Sequence, residues 1–226
     1  MQAKQLKAVI FDMDGVIVDT FELYYKANKA VADRLSLPFT REDNNEFRGI
    51  GRMEIVTKLV ARAEKNLSEA EIVKLANWKN EFYQQLIKKI DERAILPGMK
   101  EFISELKENN VKMAIASSST NAKTVLQHVG LIDYFDHIVD PTTLEKGKPD
   151  PEIFLKAVEA FNVDSAECAA IEDGVAGLQA INQTDMFSVA VGEAVANEPA
   201  DWHVTDTSEI TYETLIKKFK GENNET

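Results

Sequence analysis

The strongest constraint on this chain is a recurring junction: a short apolar run that stops at a cluster of acidic or hydroxyl side chains. Leu6–Phe11 (LKAVIF) runs into Asp12-Met13-Asp14-Gly15, Val111–Ala116 (VKMAIA) into Ser117-Ser118-Ser119-Thr120-Asn121, and Cys168–Ile171 (CAAI) into Glu172-Asp173-Gly174. Runs this short, bounded by turn formers, read as buried strands. Further strands are expected at Ile138-Val139, Phe187–Val191 and Trp202–Val204. Helices are expected from Pro97, which suits a helix start, to about Asn109, at Asn121–Val129 (stopped by Gly130), at Pro151–Phe161, at Gly174–Ile181 and at about Thr211–Phe219. Gly221–Thr226 reads as a frayed tail. Strands alternating with helices predict an α/β fold, a parallel sheet covered on both faces. In such sheets ligands bind beyond the carboxyl ends of the strands, where the three polar clusters fall.

The stretch after the first strand breaks this alternation. From Thr20 to Ile90 helices are expected and no strand. The first has apolar positions Leu23, Ala27, Ala30, Val31 and Leu35, with Thr20 placed as its N-cap. Arg48–Arg52 (RGIGR) is a turn, Met53–Lys65 a second helix, and Ser68–Ile90 a third, with Ser68 and Glu71 in capping-box spacing. The predicted organisation is therefore a core of residues 1–19 and 91–226 interrupted by a helical body at 20–90. Two linkers joining two bodies predict a hinge.

Composition narrows the function. With 26 Lys+Arg against 38 Asp+Glu, the net charge is −12, which disfavours nucleic acid as a partner. No apolar run is long enough for a membrane span, and the N-terminal MQAKQLKAVIFD lacks a signal-peptide core, so no membrane partner and a cytoplasmic location are expected. The single cysteine, Cys168, rules out an internal disulfide framework or cysteine-rich zinc site and reads as core. His128, His137 and His203 show no metal-ligand spacing.

The chemistry gathers at one sheet edge. Asp12, Asp14, Glu172 and Asp173 make a hard-oxygen set suited to Mg²⁺, which takes one or two carboxylates together with water and phosphate. A carboxylate can attack phosphorus and form an aspartyl-phosphate, provided charge is neutralised, and Lys148 in the loop GKPDP and Ser117 could assist. Asp12 and Asp14, two apart, can occupy different environments, one ionised and one a general acid. Alone, each feature has a plainer reading: Asp-x-Asp-Gly as a turn, Asn121 as a helix cap, Lys148 as a solvated charge, Glu172-Asp173 as support for a helix N-terminus. Their coincidence at strand ends of one sheet points to a site.

These residues resemble the haloacid dehalogenase superfamily. FDMDGVIVDT (11–20), ASSST (116–120), GKPDPEIF (147–154) and AIEDGVAG (170–177) match its four motifs in order. The resemblance implies a Rossmann-like parallel sheet core with an inserted small α-helical cap domain. The likeness extends to the sugar-phosphate mutases of that superfamily through FRGIGR (47–52), Lys79-Asn80, ASSSTNA (116–122) and VDPTTLEKGKPDPEIF (139–154). It implies Asp12 as nucleophile and Asp14 as general acid/base. It gives Mg²⁺ to the Asp12 carboxylate, the Asp14 backbone carbonyl and Asp173, with Glu172 contributing. Ser117 and Lys148 would hold the transferring phosphoryl, and Arg52, helped by Gly49 and Ile50, a second phosphate. Ser119, Thr120 and Asn121 would contact the sugar or that phosphate, Lys79 would line the cleft and Thr20 would serve the hinge. The implied activity interconverts β-D-glucose 1-phosphate and glucose 6-phosphate in a monomeric enzyme. One departure matters: the mutase pattern has a histidine four residues after the hinge threonine, and here that residue is Tyr24. The departure keeps a sugar-phosphate phosphatase as the alternative. Tyr24 itself reads as cap packing, as do Trp78, Phe82 and Tyr83.

Overall fold

The structure is a computed structural model that describes residues 5–222. The described residues form a six-stranded parallel sheet from β1 (Ala8–Phe11), β2 (Lys112–Ile115), β3 (His137–Ile138), β4 (Cys168–Glu172), β5 (Phe187–Val191) and β6 (Trp202–Val204). The strand order is β3-β2-β1-β4-β5-β6, so the first strand in sequence is central. β1 aligns in register with β2 (Phe11 beside Ile115) and with β4 (Phe11 beside Ile171), so the three predicted polar clusters emerge side by side.

Side-chain alternation divides the core. Val9, Phe11, Met113 and Ile115 point to one face, packed by α5 (Met99–Glu108), α6 (Ala122–His128) and α9 (Tyr212–Lys220). Ala8, Ile10 and Ala114 point to the other, packed by α7 (Glu152–Glu159) and α8 (Val175–Ile181). In α5 the buried residues are Met99, Phe102, Ile103 and Leu106, the one-face spacing of an amphipathic helix. Each side chain of this size stabilises the fold by about 1.5–3 kcal/mol relative to exposure.

The helices α1 (Phe21–Arg34), α2 (Arg41–Asn45), α3 (Arg52–Arg62) and α4 (Glu69–Ile87) enclose an apolar cluster of their own, including Val31, Phe39, Phe47, Ile55, Leu59 and Ala76. This is the expected helical cap. Its outgoing and returning chains run side by side: Val18 and Ile95 form an antiparallel bridge, the Leu96 N–H donates to the Ile17 carbonyl at 2.9 Å, and the Asp19 N–H to the Ala94 carbonyl at 2.8 Å.

Local expectations fared unevenly. β5 and β6 have the predicted bounds, whereas α3 ends at Arg62, α4 ends at Ile87, and α5 begins at Met99 after Gly98 in the left-handed region. At α4 the Glu71 carboxylate accepts from the Ser68 N–H at 2.8 Å, as capping-box spacing predicts. Thr20 stands at the N-cap position of α1 but makes no capping bond; its hydroxyl is used elsewhere. The short helix α2 was not anticipated, although Thr40 and Asp43 form a capping box there. Of the expected tail, residues 223–226 lie outside the described residues. No helix among the described residues is long and apolar enough to cross a membrane.

Candidate active site

The carboxyl end of β1 delivers Asp12 to the centre of the sheet edge, where its N–H is held by the Ile171 carbonyl at 3.0 Å. β4 delivers Glu172 beside it, and the loop before α7 delivers Lys148. All three are buried. The Lys148 Nζ donates to Asp12 Oδ1 at 2.5 Å and to Glu172 Oε2 at 2.7 Å. Burial alone would favour the neutral amine. The Asp12 and Glu172 carboxylates overcome that and hold the ammonium protonated well above the usual lysine range. The other oxygen of Glu172 accepts from the N–H groups of Asp173 (3.1 Å) and Gly174 (2.9 Å), turning the carboxylate back against its own chain.

Two glycines make this packing possible. A Cβ on Gly15, at φ +85°, would overlap the Asp173 carboxylate, and one on Gly177 would overlap that of Glu172.

Asp14 occupies a different environment, as two carboxylates of opposite role require. Thr20 Oγ1 donates to its Oδ1 at 2.6 Å, and Tyr24 Oη and Ser117 Oγ approach its Oδ2 at 3.4 Å each. Burial, then the neighbouring charge of Asp12, lifts its carboxyl to about 7 against the opposing Thr20 bond. At neutral pH Asp14 can therefore hold or release a proton.

Asp12, Glu172 and Asp173 each offer an oxygen within 4.8 Å of the others, and all three are buried. Burial pushes the Glu172 and Asp173 carboxyls upward, disfavouring their ionised forms. Three converging hard-oxygen donors of this kind fit a divalent cation, which would restore full ionisation. The Asp14 side chain stands outside this trio. Arg48 of the cap also reaches Asp173 and forms an ion pair with it.

The facing wall belongs to the cap. Arg52 at the start of α3 and Lys79 on α4 line a cleft of about 330 Å³ together with Asp12, Asp14 and the loop after β2. Lys79 is buried; burial first, and Arg52 second, bring its ammonium down to about 7. Its Nζ lies 5.9 Å from the Tyr24 ring centroid and closes no ion pair among the described residues. Arg52 is half-buried, and its Nε has no hydrogen-bond partner among the described residues. Tyr24 stacks on Tyr83 with ring centroids 4.4 Å apart, so it serves both cap packing and contact with Asp14.

Cap and sheet meet across this cleft. Ser118 Oγ donates to the Gly49 carbonyl at 2.8 Å. Asn121 donates to Asn80 at 2.9 Å and accepts from Gln84 at 3.1 Å, so its side chain ties the two bodies instead of capping α6. Ser119, Thr120 and Ile50 line the same cleft, with Thr120 exposed. All the residues expected to act together are thus brought to one place. Lys148, a plain surface charge when read alone, is buried at its centre, and Thr20 bonds Asp14 where a cap was expected. Sequence reasoning missed Arg48, Asn28 and Asn44. Arg48 lay inside a noted motif without a role. Asn28 was detectable as a polar residue between Ala27 and the apolar positions of α1.

Comparison with known proteins agrees with this geometry. The haloacid dehalogenase-like hydrolase family matches residues 6–185. The chain is 44% identical to β-phosphoglucomutase of Bacillus subtilis over 95% of its own length and 96% of that protein's. It is 32% identical to a phosphorylated carbohydrates phosphatase of Thermotoga maritima, over 77% of this chain and 80% of that one. The crystal structure of β-phosphoglucomutase from Clostridium difficile superposes with a TM-score of 0.92 at 37% identity, covering 96% of this chain and 98% of that one. The motifs, the inserted cap and the full-length likeness lead to one conclusion: the chain belongs to the haloacid dehalogenase-like hydrolase family.

Proposed function

We propose that this protein is a Mg²⁺-dependent phosphoryl transferase that interconverts β-D-glucose 1-phosphate and D-glucose 6-phosphate through an aspartyl-phosphate on Asp12. One observation carries the reading. Cationic groups stand on both sides of the cleft, Lys148 buried behind Asp12 on the sheet and Arg52 with Lys79 on the cap, which suits a sugar bearing a phosphate at each end. In the same reading the enzyme works as a cytoplasmic monomer.

The residues divide the work as follows. Phosphorylated Asp12 gives its phosphoryl group to the 6-hydroxyl of β-glucose 1-phosphate while Asp14 takes the hydroxyl proton. The resulting β-1,6-bisphosphate turns within the cleft. Asp12 then attacks the 1-phosphate, the bond from phosphorus to sugar oxygen breaks, and Asp14 returns its proton to that oxygen. Glucose 6-phosphate leaves and Asp12 is phosphorylated again. Lys148 and Ser117 hold the moving phosphoryl group, while Arg52 and Lys79 hold the stationary one. Asp12, Asp173, Glu172 and the Asp14 carbonyl would hold Mg²⁺, which when bound neutralises charge between carboxylate and phosphoryl. Cap closure keeps water from the aspartyl-phosphate.

Phosphorus NMR of β-glucose 1-phosphate, with Mg²⁺ and a trace of the bisphosphate, tests the proposal. Conversion to glucose 6-phosphate without inorganic phosphate is expected. Stoichiometric inorganic phosphate would overturn it in favour of a sugar-phosphate phosphatase, the reading that Tyr24 in place of the mutase histidine keeps open.

A further inference from the structure

The buried side-chain polar atoms without a hydrogen-bond partner, among the described residues, are Arg52 Nε, Tyr83 Oη and Asn28 Oδ1. All three residues line the one cleft, and all three sit on its cap wall. Buried polar groups are almost always paired, so a cluster of orphans on one wall marks where something else completes them. The second phosphate proposed above would engage Arg52, and the Tyr83 hydroxyl stands among the Tyr24 and Thr20 hydroxyls. Asn28 has neither account.

Asn28 is 1% exposed. It follows Tyr24 by one helical turn on α1, so both side chains share a helix face. Its Nδ2 donates to Asn44 Oδ1 on α2 at 2.7 Å, and in that orientation Oδ1 is the unpaired acceptor. Asn44 is itself buried, at 4% exposure, and also lines the cleft. Tying α1 to α2 would account for Nδ2 alone; an apolar side chain would pack there without an orphaned oxygen.

We infer that Asn28 is a specificity-determining residue whose carbonyl accepts a hydrogen bond from a ring hydroxyl of the sugar held between the two phosphate poles. The inference rests on the sugar-phosphate reading above and deepens it. A site that hydrogen-bonds a hydroxyl discriminates against the analogue lacking it, because the acceptor is then left unpaired.

The test measures kcat/KM for β-glucose 1-phosphate and its 2-, 3- and 4-deoxy analogues, using the full chain with Mg²⁺ and bisphosphate primer. The native protein should disfavour one analogue by roughly tenfold. In Asn28→Leu that single preference should collapse, with a loss of roughly three- to tenfold on the intact sugar and little on that analogue. Asn44→Leu, which removes the tie but keeps the Asn28 carbonyl, should retain the preference. If Asn28→Leu fails to fold, Asn28→Ala serves in the same panel. Unchanged ratios across all analogues in the Asn28 variant, or equal behaviour of the Asn28 and Asn44 variants, would overturn the inference while leaving the sugar-phosphate reading intact. Absence of turnover of any hexose phosphate by the native protein would remove that reading and this inference together.

Discussion

On the sheet side of the cleft each ionisable group has a partner: Lys148 bridges Asp12 and Glu172, Arg48 meets Asp173, and Thr20 bonds Asp14. On the cap side, among the described residues, Lys79 has no counter-ion, Arg52 Nε has no acceptor and Asn28 Oδ1 has no donor. The sheet wall is rigid, built on strand ends inside a packed core. The cap wall lies on helices joined to that core through paired linkers. Under the proposed function, the difference means that the reacting groups would be assembled before a ligand arrives, while the groups that recognise it would be completed by the ligand itself.

The largest test of this contrast removes the reacting oxygen. Asp12→Asn should lower turnover of every sugar phosphate by at least about 10⁴-fold, as loss of a nucleophile does. Steady-state assays on a sugar-phosphate panel check it, and unchanged turnover would dissolve the proposed division between the walls. Arg52→Ala is the counterpart on the cap. It should weaken ligands with two phosphates by roughly ten- to a hundredfold, the scale of a charged hydrogen bond worth about 1.5–3 kcal/mol, and ligands with one phosphate less. Equal losses for both classes would take Arg52 out of the phosphate-binding wall.

Lys79 provides a finer measurement. Its ammonium is brought down to about 7 by burial and by Arg52, so near pH 7 it is only partly charged. A bound anion favours the protonated form and raises that value. Binding of a sugar bisphosphate near pH 7 should therefore take up roughly half a proton from this group. Affinity should fall as pH rises above 7, since the proton must then be drawn from a more dilute supply. Calorimetry in buffers of different ionisation enthalpy reads the uptake directly, and Lys79→Met should abolish this contribution. The smallest effect concerns Arg48, whose ion pair occupies Asp173, one of the carboxylates proposed to hold the cation. Arg48→Ala should tighten Mg²⁺ binding about threefold in a direct titration; weaker binding would show that Arg48 supports the site.

The sheet was legible because its strands are buried on both faces, and so read as apolar runs cut off by polar residues. Asp12, Ser117 and Glu172-Asp173 were legible for the same reason: each follows a strand that ends at the same edge. Lys148 needed a motif, since its burial comes from a loop folding across the sheet. Thr20 and Asn121 were placed correctly along the chain, yet their side chains serve cross-body contacts that no local rule contains. Asn28 and Asn44 are 16 residues apart and meet only when α1 and α2 pack. Arg48 and Asp173 are 125 residues apart and meet only across the closed cleft. Local pattern therefore revealed the sheet wall; on the cap wall, resemblance reached Arg52 and Lys79, and tertiary packing had to reveal Arg48, Asn28 and Asn44.

Gly177 carries a consequence of its own. Even a methyl group there would collide with the Glu172 carboxylate. Every glycine codon is a single nucleotide change from an alanine codon. A path out of the proposed chemistry as short as the loss of an acid thus passes through a residue with no functional atoms, and inheritance of such an activity depends as much on preserving an empty space as on preserving an acid.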